Sequence, residues 1–406
     1  MMQLRSSPRS FLAGLLLAAV AGAAVFAGYR LLDGERGFAE PQQAEAPQFP
    51  PIPLNETPEE ALKRIQEQRL IVNDHDHAEN MDDVPRFLAA MDQNGIGKTV
   101  LLGSSHFTIT LNPRVGFTRY DEYNENMLQI ALAHPDRFEA WPTVNPLDPM
   151  MLDKFSGLID RGARGLKLYT GHGYVIPGER KYMFHPVAMD DPRMFPLYEY
   201  CEVNFIPICW HVNPGPTAPG FAQEFIEILY RYPDLKVVCP HFMLSSIKDS
   251  RLRELLDTFP NLYSDIGFGH DDFLIAGLKR ISKDPEKFRR ILREYPDRFF
   301  FGTDLVMTNH PMKTAEWCSV RMKAYLDMLT QAAYTVPFIP NMTLNGLEIS
   351  SPLLDDILYR NFHRFMALQP EGTKITREIN WANMGIPQLQ RAPGQAFPPP
   401  AKEQGQ

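Results

Sequence analysis

The sequence predicts an α/β protein built around a (β/α)8 barrel, the TIM-barrel fold, preceded by an N-terminal export or anchor segment. Three observations support this fold class. Short apolar runs alternate with helical patterns over about 300 residues, and several runs end in a histidine or an aspartate. The intervals between those polar ends are multiples of one strand-helix unit. Alternating strands and helices form parallel sheets, and the polar side chains that act together in such a barrel lie at the carboxyl ends of its strands.

The first predicted strand carries two histidines on one face. The apolar run 70–72 leads into Asn73-Asp-His-Asp-His77. Because residues two apart on an extended strand point to the same side, His75 and His77 project together while Asp76 faces away. Imidazole is the commonest protein ligand for zinc and related ions, and a catalytic zinc site needs three protein ligands and one open position. The pair therefore predicts part of a metal site.

Three further polar residues, His211, His241 and Asp304, each end an apolar run typical of a buried parallel strand. His77 and His211 are 134 positions apart, His211 and His241 are 30 apart, and His241 and Asp304 are 63 apart. With roughly 30 residues in each strand-helix-strand unit, these intervals correspond to four, one and two units. The polar side chains then fall at the ends of strands one, five, six and eight.

The remaining strands and the helices between them lie where this spacing requires them. Strands two, three, four and seven are predicted at 98–103, 138–143, 165–169 and 261–266. Helical patterns cover 85–94, 121–133, 151–161, 221–232 and 285–295. Longer helices at 314–332 and 353–367 can supply the interface of a homodimer.

The two ends of the chain differ in composition from the predicted barrel. Residues 1–30 contain Arg5 and Arg9 before the uncharged, largely Ala/Leu/Val stretch 11–28, which predicts a signal peptide or a membrane anchor. A cleaved signal and a retained membrane tether both fit, and both export the barrel to the periplasm or the extracellular space. We predict a Pro-rich linker at 31–65, a catalytic domain at 66–370 and a Pro/Gln-rich tail at 371–406.

Charge and cysteine content exclude other classes of function. The net charge of −8, without a cluster of basic and aromatic residues, excludes nucleic acid as a partner and leaves a small-molecule substrate. The four cysteines show no Cys-x-x-Cys spacing, which excludes a thiolate zinc finger. We expect them to be small apolar core residues.

The polar strand ends predict one shared site. His75, His77, His211 and Asp304 offer three nitrogens and one oxygen to one divalent metal ion, with zinc as the first expectation and manganese, iron or cobalt as alternatives. His241 lies between the strands of His211 and Asp304. A general acid/base or electrophilic role is preferred for it over a fourth ligand or a core position.

Four further residues are predicted to contact the substrate. Lys167 on strand four binds a substrate carboxylate or makes a structural pair, and a modified Lys167 that bridges a second metal is the alternative. Trp210, Tyr169 and Arg114 are placed around the rim of the pocket, where the loops of a barrel determine its chemistry.

These residues carry a family resemblance. The ordered motifs are His75-Asp-His77, Gly162-Ala-Arg-Gly-Leu-Lys-Leu168, His211, His241 and Arg298-Phe-Phe-Phe-Gly-Thr-Asp304, with His134-Pro-Asp-Arg-Phe138 and Asn361 in addition. Over about residues 70–367 the chain resembles the amidohydrolase superfamily in its amidohydrolase-related branch, which includes metal-dependent hydrolases and the aminocarboxymuconate semialdehyde decarboxylase group. Asn73, where the family frequently has aspartate, and the export segment depart from that pattern.

The resemblance implies that His75, His77, His211 and Asp304 bind one metal and that His241 is catalytic. We expect a hydrolase in which Asp304 takes a proton from the attacking water and His241 polarises the carbonyl of an amide, ester or lactone. A metal-dependent decarboxylase of a small carboxylic acid is the alternative, and a non-catalytic exported metal-binding barrel is the third hypothesis.

Overall fold

The computed structural model describes residues 46–112, 115–169, 187–212, 219–243, 248–386 and 388. The chain divides into two units, Met1–Ala46 and Pro47–Gln406, and all the elements described below belong to the second. The predictions for residues 1–30, for the linker up to residue 45 and for Arg114 lie outside the described residues.

Every predicted strand has a counterpart in the structure. The strands are β1 Ile71–Ala78, β2 Ile96–Leu102, β3 Phe138–Trp141, β4 Leu166–Leu168, β5 Ile208–Trp210, β6 Val237–Val238, β7 Leu262–Asp265, β8 Phe299–Phe300 and β9 Leu305–Met307. Strands β8 and β9 together correspond to the predicted eighth strand. A short antiparallel pair, β10 Ala333–Tyr334 and β11 Leu344–Asn345, follows them.

The strands from β1 to β9 pair in parallel. One sheet has the order β3-β2-β1-β9 and the other the order β4-β5-β6-β7-β8. A parallel bridge between Thr143 and Lys167 connects the two sheets after β3. Because β8 and β9 follow each other along one segment, the order of pairing returns to β1. The fold is therefore mixed α/β with parallel sheets, and this arrangement is consistent with a TIM barrel.

The connections between the strands are mainly helical. The helices are α1 Pro58–Glu67, α2 Val84–Gln93, α3 His106–Thr110, α4 Tyr120–Ala133, α5 Met151–Asp160, α6 Phe195–Val203, α7 Pro219–Arg231, α8 Asp249–Thr258, α9 Asp271–Lys283, α10 Pro285–Glu294, α11 Ala315–Thr330, α12 Leu353–Asp355, α13 Asn361–Ala367 and α14 Trp381–Met384. In α10 the buried residues are Phe288, Ile291 and Leu292. They lie three and four positions apart, so they form one apolar face against the core.

Helix α1 corrects the predicted boundary of the linker. Its capping box pairs Thr57 with Glu60, and Ala61 and Ile65 are completely buried. Arg64 forms an ion pair with the buried Asp355 at 3.1 Å. The composition of 31–60 predicted an extended tether, and the linker was placed at 31–65. Residues 58–65 belong to the folded unit instead, because their apolar side chains repeat with helical spacing.

Two further features are the membrane-spanning potential of the described helices and the state of the cysteines. Within the described residues, no helix combines the length and apolar character needed to span a membrane. The stretch 11–28 lies outside those residues. All four cysteines are free and buried, as predicted for small core residues.

Candidate metal centre

Three histidine side chains converge on the carboxylate of Asp304. This residue lies directly before β9, which pairs with β1. Nε2 of His75 and Nε2 of His77 are 3.2 and 3.3 Å from Oδ1 of Asp304, and Nε2 of His241 is 3.4 Å from Oδ2. The ligand atoms of His75, His241 and Asp304 all lie within 4.8 Å of one another. Four of the predicted site residues are therefore brought together.

The opposite nitrogen of each ring is held by a separate acceptor. Nδ1 of His75 is 2.7 Å from Oδ2 of Asp265. Nδ1 of His77 is 2.8 Å from the carbonyl oxygen of Leu102, and Nδ1 of His241 is 3.1 Å from that of Gly267. Because carbonyl oxygens and ionised carboxylates can only accept, each Nδ1 carries the donated proton and the Nε2 atoms are left facing Asp304. This tautomer and this fixed orientation suit metal binding, so the donor set fits a divalent ion.

The carboxylate of Asp304 is the anionic group of this cluster. Burial alone would raise the pKa of Asp304, but His75 and the other two imidazoles hold it well below the usual value. Burial opposes a charge on His75 as well, yet Asp304 and Asp265 raise its pKa to about 9. Without a metal ion Nε2 of His75 therefore also carries a proton at neutral pH, and a bound metal ion would displace that proton. Burial lowers the pKa of His77 to about 4 and also lowers the pKa of His241. Asp304 is therefore negative at neutral pH and can serve as an anionic oxygen ligand.

His211 lies beside this cluster, directly after β5. Its ring centroid is 5.0 Å from that of His241 and 6.4 Å from that of Tyr169. In the part of the chain that the structure describes, His241 rather than His211 belongs to the group of donors within 4.8 Å. The ligand role of His211 and the acid/base role of His241 remain predictions.

The backbone at the site adopts unusual conformations. Asp304 has φ 51°, and residues His241, Phe242 and Met243 have φ 63°, 51° and 52°. Left-handed conformations cost about 1–2 kcal/mol for each residue that carries a Cβ. The surrounding contacts must offset this strain, and strained backbone of this kind concentrates at functional sites.

The comparison with protein families covers most of the second unit. A family model described as Amidohydrolase matches residues 47–361. The chain belongs to the amidohydrolase family. A search of the curated proteins found no match for this amidohydrolase.

The solved structures that a comparison found similar to this chain include hydrolases and decarboxylases. A probable 2-pyrone-4,6-dicarboxylic acid hydrolase from Acinetobacter baumannii is 14% identical, with a TM-score of 0.49, over 74% of this chain and 100% of its own. A 2,6-dihydroxybenzoate decarboxylase from Rhizobium is 17% identical, with a TM-score of 0.43, over 73% and 98%. A dihydroxybenzoic acid decarboxylase from Polaromonas, with bound manganese, is 15% identical, with a TM-score of 0.44, over 74% and 98%.

Asp265 is a site residue that the sequence did not reveal. Its Oδ2 contacts His75, and its Oδ1 accepts the backbone N–H groups of His241 at 2.7 Å and Gly267 at 3.0 Å. The side chain is completely buried, and its pKa is lowered because the hydrogen bond and charge of His75 outweigh burial. The available signal was its place at the end of predicted strand seven, but no spacing motif linked it to His75.

Asn73 and Asp76 of β1 support the segment that carries Asp304. Oδ1 of Asp76 accepts the hydroxyl of Thr303 and the backbone N–H of Leu305, each at 2.6 Å. Oδ1 of Asn73 accepts the N–H of Thr303 at 3.1 Å. These bonds therefore fix Thr303 and Leu305, the two residues on either side of Asp304 in the chain. The family frequently has aspartate in place of Asn73, and here both ends of the Asn73 amide form hydrogen bonds with Thr303.

Lys167 and Tyr169 lie next to the histidines. Lys167 is completely buried, with Nζ 3.2 Å from Nε2 of His75 and 3.6 Å from Sγ of Cys209. Its Nζ also lies 5.2 Å from the ring centroid of Tyr169. The Tyr169 hydroxyl donates to the carbonyl oxygen of Gly103 at 2.8 Å. Both residues therefore lie at the carboxyl end of β4, where the sequence placed them.

The predicted substrate contact of Trp210 is wrong. Its side chain is completely buried, and its ring packs against Tyr198 of α6 at 5.1 Å and Phe225 of α7 at 5.4 Å between centroids. On β5 it alternates with Cys209 and His211, so it points to the opposite face of the strand. Trp210 is a core residue between the sheet and the helices.

Proposed function

We propose that the chain is a metal-dependent hydrolase that cleaves an amide, ester or lactone bond of a small molecule, on a closed eight-stranded barrel. The convergence of the Nε2 atoms of His75, His77 and His241 on Asp304 is the observation that carries this proposal. His75, His77, His211 and Asp304 are the proposed ligands of one divalent metal ion. Zinc is the first expectation, and manganese, iron and cobalt suit the same donors.

A bound divalent metal ion supplies a water of lowered pKa and polarises a carbonyl oxygen. Asp304 is negative at neutral pH, so it can accept a proton from the attacking water and pass it to the leaving group. His241 presents Nε2 to the same space while its Nδ1 is held by the carbonyl of Gly267. It can exchange a proton with the substrate or stabilise the developing oxyanion.

A metal-dependent decarboxylase is the second candidate, and Lys167 is the observation that favours it. Its amino group is buried 3.2 Å from Nε2 of His75, where it can pair with the carboxylate of a bound acid. An amino group at this place can donate hydrogen bonds to both oxygens of a substrate carboxylate. Arg114, the other predicted carboxylate contact, lies outside the described residues.

Elemental analysis of the full chain tests the metal site. Near one metal ion per chain in the wild type, lost in the His75→Ala/His77→Ala double variant, is the expected result. The matched control, His134→Ala/His363→Ala, removes two histidines outside the cluster and should keep the metal. About two ions per chain would support a modified Lys167, whereas no metal in folded wild type would contradict the proposal.

The products distinguish the two reactions. A panel of lactones, esters, amides and aromatic acids is incubated with the metal-loaded chain. New carboxyl groups with an amine or alcohol identify the hydrolase, whereas release of one CO2 per substrate identifies the decarboxylase. Tight metal binding without turnover of any compound would support the non-catalytic barrel.

The proposal also includes export and self-association. Its support for export is the basic and apolar pattern of residues 1–30, and its support for a homodimer is the pair of long helical segments at 314–332 and 353–367. Fractionation of cells that express the full chain tests export. Light scattering of the purified chain tests the dimer.

A further inference from the structure

The segment after β6 makes a left-handed turn that carries His241. Residues His241, Phe242 and Met243 have φ of 63°, 51° and 52°, and none of them is glycine. The direction of the Cα–Cβ bond of His241 depends on its φ. A return of this residue to the right-handed region would therefore move the imidazole away from Asp304, which now lies 3.4 Å from Nε2.

Two neighbouring residues at the end of β7 hold this turn. Oδ1 of Asp265 accepts the backbone N–H of His241 at 2.7 Å. Oγ of Ser264 accepts the backbone N–H of Met243 at 3.0 Å and donates to the carbonyl oxygen of Cys239 at 2.7 Å. The two side chains therefore satisfy the backbone at both ends of the turn, and Ser264 also connects the turn to the residue that follows β6.

The middle residue of the turn is fixed by packing. Phe242 is completely buried, and its ring centroid lies 5.9 Å from Phe268, 5.6 Å from Phe288 and 5.5 Å from Phe299. This packing anchors the side chain of the turn but makes no hydrogen bond to its backbone. The hydrogen bonds to Ser264 and Asp265 therefore restrain backbone groups that this packing does not hold.

We propose that Ser264 and Asp265 are positioning residues for His241. They hold the left-handed turn of residues 241–243, and the conformation of this turn directs the imidazole of His241 to Asp304. The inference rests on the proposed function, because His241 matters for catalysis only if the site is catalytic. Ser264 gives the cleaner test, since Asp265 also contacts His75.

The test compares the full wild-type chain with Ser264→Ala, which removes the hydroxyl, and with Ser264→Thr, which retains it. Thr330→Val is the matched control, because it removes another completely buried hydroxyl that donates to one carbonyl oxygen, that of Leu326 at 2.8 Å. Each chain is labelled with ¹⁵N-histidine, and the ring signals of His241 are assigned from the spectrum of His241→Gln. Metal content is measured by elemental analysis.

We expect Ser264→Ala to shift or broaden the ring signals of His241 while those of His75 and His77 and the metal content are retained. Ser264→Thr should restore the wild-type signals, and Thr330→Val should leave them unchanged. With a hydrolysed or decarboxylated compound in hand, kcat should fall about tenfold or more in Ser264→Ala with KM within about twofold.

Unchanged His241 signals in folded Ser264→Ala would overturn the proposal. Equal changes in all three site histidines, or the same change in Thr330→Val, would also overturn it, because they indicate a general loss of structure. If Ser264→Ala does not fold, Ser264→Gly removes the same hydroxyl, and unchanged His241 signals in that folded variant would equally overturn the proposal. The spectra are independent of turnover, so an inactive wild type contradicts the proposed function without deciding the role of Ser264.

Discussion

Nδ1 of His75 and Oδ2 of Asp265 lie 2.7 Å apart, although the two residues are separated by 190 positions in the chain. Both side chains are buried, and the pKa of Asp265 is lowered. The carboxylate is therefore ionised and accepts the Nδ1 proton, which leaves Nε2 of His75 facing Asp304. A carboxylate behind a ligating imidazole fixes its tautomer and orientation.

Asp265→Asn should weaken metal binding. An asparagine must turn its amide nitrogen either to Nδ1 of His75 or to the backbone N–H of His241, and each choice places two donors together. Loss of such a partner typically lowers metal affinity about 10- to 100-fold. Zn²⁺ affinity is measured by competition with a chromogenic chelator. Asp327→Asn, whose carboxylate pairs with Lys323 instead, is the control, and affinities within about twofold of each other would contradict the expectation.

Gly269→Ala should displace Asp304. A Cβ on Gly269 would lie 2.3 Å from Oδ2 of Asp304, and the residue has φ +76°. Gly372→Ala is the matched control, because it has φ +67° with no atom within 4 Å of the added Cβ. Both variants should lose about 1 kcal/mol of folding free energy from backbone strain. Only Gly269→Ala should also lose metal, and equal metal content in the two variants would refute the close contact at Asp304.

Glu254→Gln should loosen the segment 371–386. The carboxylate is 1% exposed and accepts hydrogen bonds from Arg377, Asn380 and Asn383, each at 2.8 Å. Replacement by an amide should lower the free energy of unfolding by about 1–3 kcal/mol. It should also speed proteolytic cleavage after residue 370. Asp257→Asn removes the more exposed partner of Arg377 and should change stability by less than about 1 kcal/mol. Equal effects would contradict a special role for Glu254.

Lys236 should make stability depend on pH. Its Nζ is buried and donates to the carbonyl oxygens of Phe365 and Met366, each at 3.2 Å, and burial lowers its pKa to about 8. The unfolded chain, with a lysine pKa of about 10.4, binds more protons between pH 8 and 10.4. Folding therefore favours the neutral form of Lys236. The contribution of Lys236 to the free energy of unfolding is fully present above the unfolded pKa of about 10.4 and is lost as the pH falls through the folded pKa of about 8.

The measurement compares the wild type with Lys236→Met by urea unfolding between pH 7 and 10.5. The difference in free energy of unfolding, wild type minus variant, should rise with pH by up to about 3 kcal/mol. Lys323→Met, at an exposed position, should show no such slope. A constant difference between wild type and Lys236→Met would mean that the pKa of Lys236 is not lowered by folding.

The strand positions were predictable because the apolar runs are local signals. The run that contains Val100 and the run that contains Phe299 both became strands, since a short buried parallel strand consists of consecutive apolar residues. The linker boundary was wrong because it was set by the average composition of a segment and not by the spacing of its apolar residues. Composition described residues 31–65 as one segment, although Ala61 and Ile65 repeat with helical spacing and are buried.

The position of Trp210 could have been predicted from the alternation of side chains along a strand. Its neighbours Cys209 and His211 were assigned to the interior, so alternation already placed Trp210 on the other face. A large aromatic residue beside a predicted ligand suggested a pocket wall. Packing against Tyr198 and Phe225 instead made it part of the core.

The sequence by itself determined the α/β class, the eight strand positions, the family, and the grouping of His75, His77 and Asp304 at strand ends. The family followed from the resemblance of the ordered motifs, whereas the other properties depend on local periodicity and on spacing along the chain, which can be counted. Only the tertiary structure decided that Asp265 supports His75 and that Ser264 and Asp265 hold the turn of His241. Such contacts join side chains from different strands, and their distances depend on the register of the sheets and the path of the backbone.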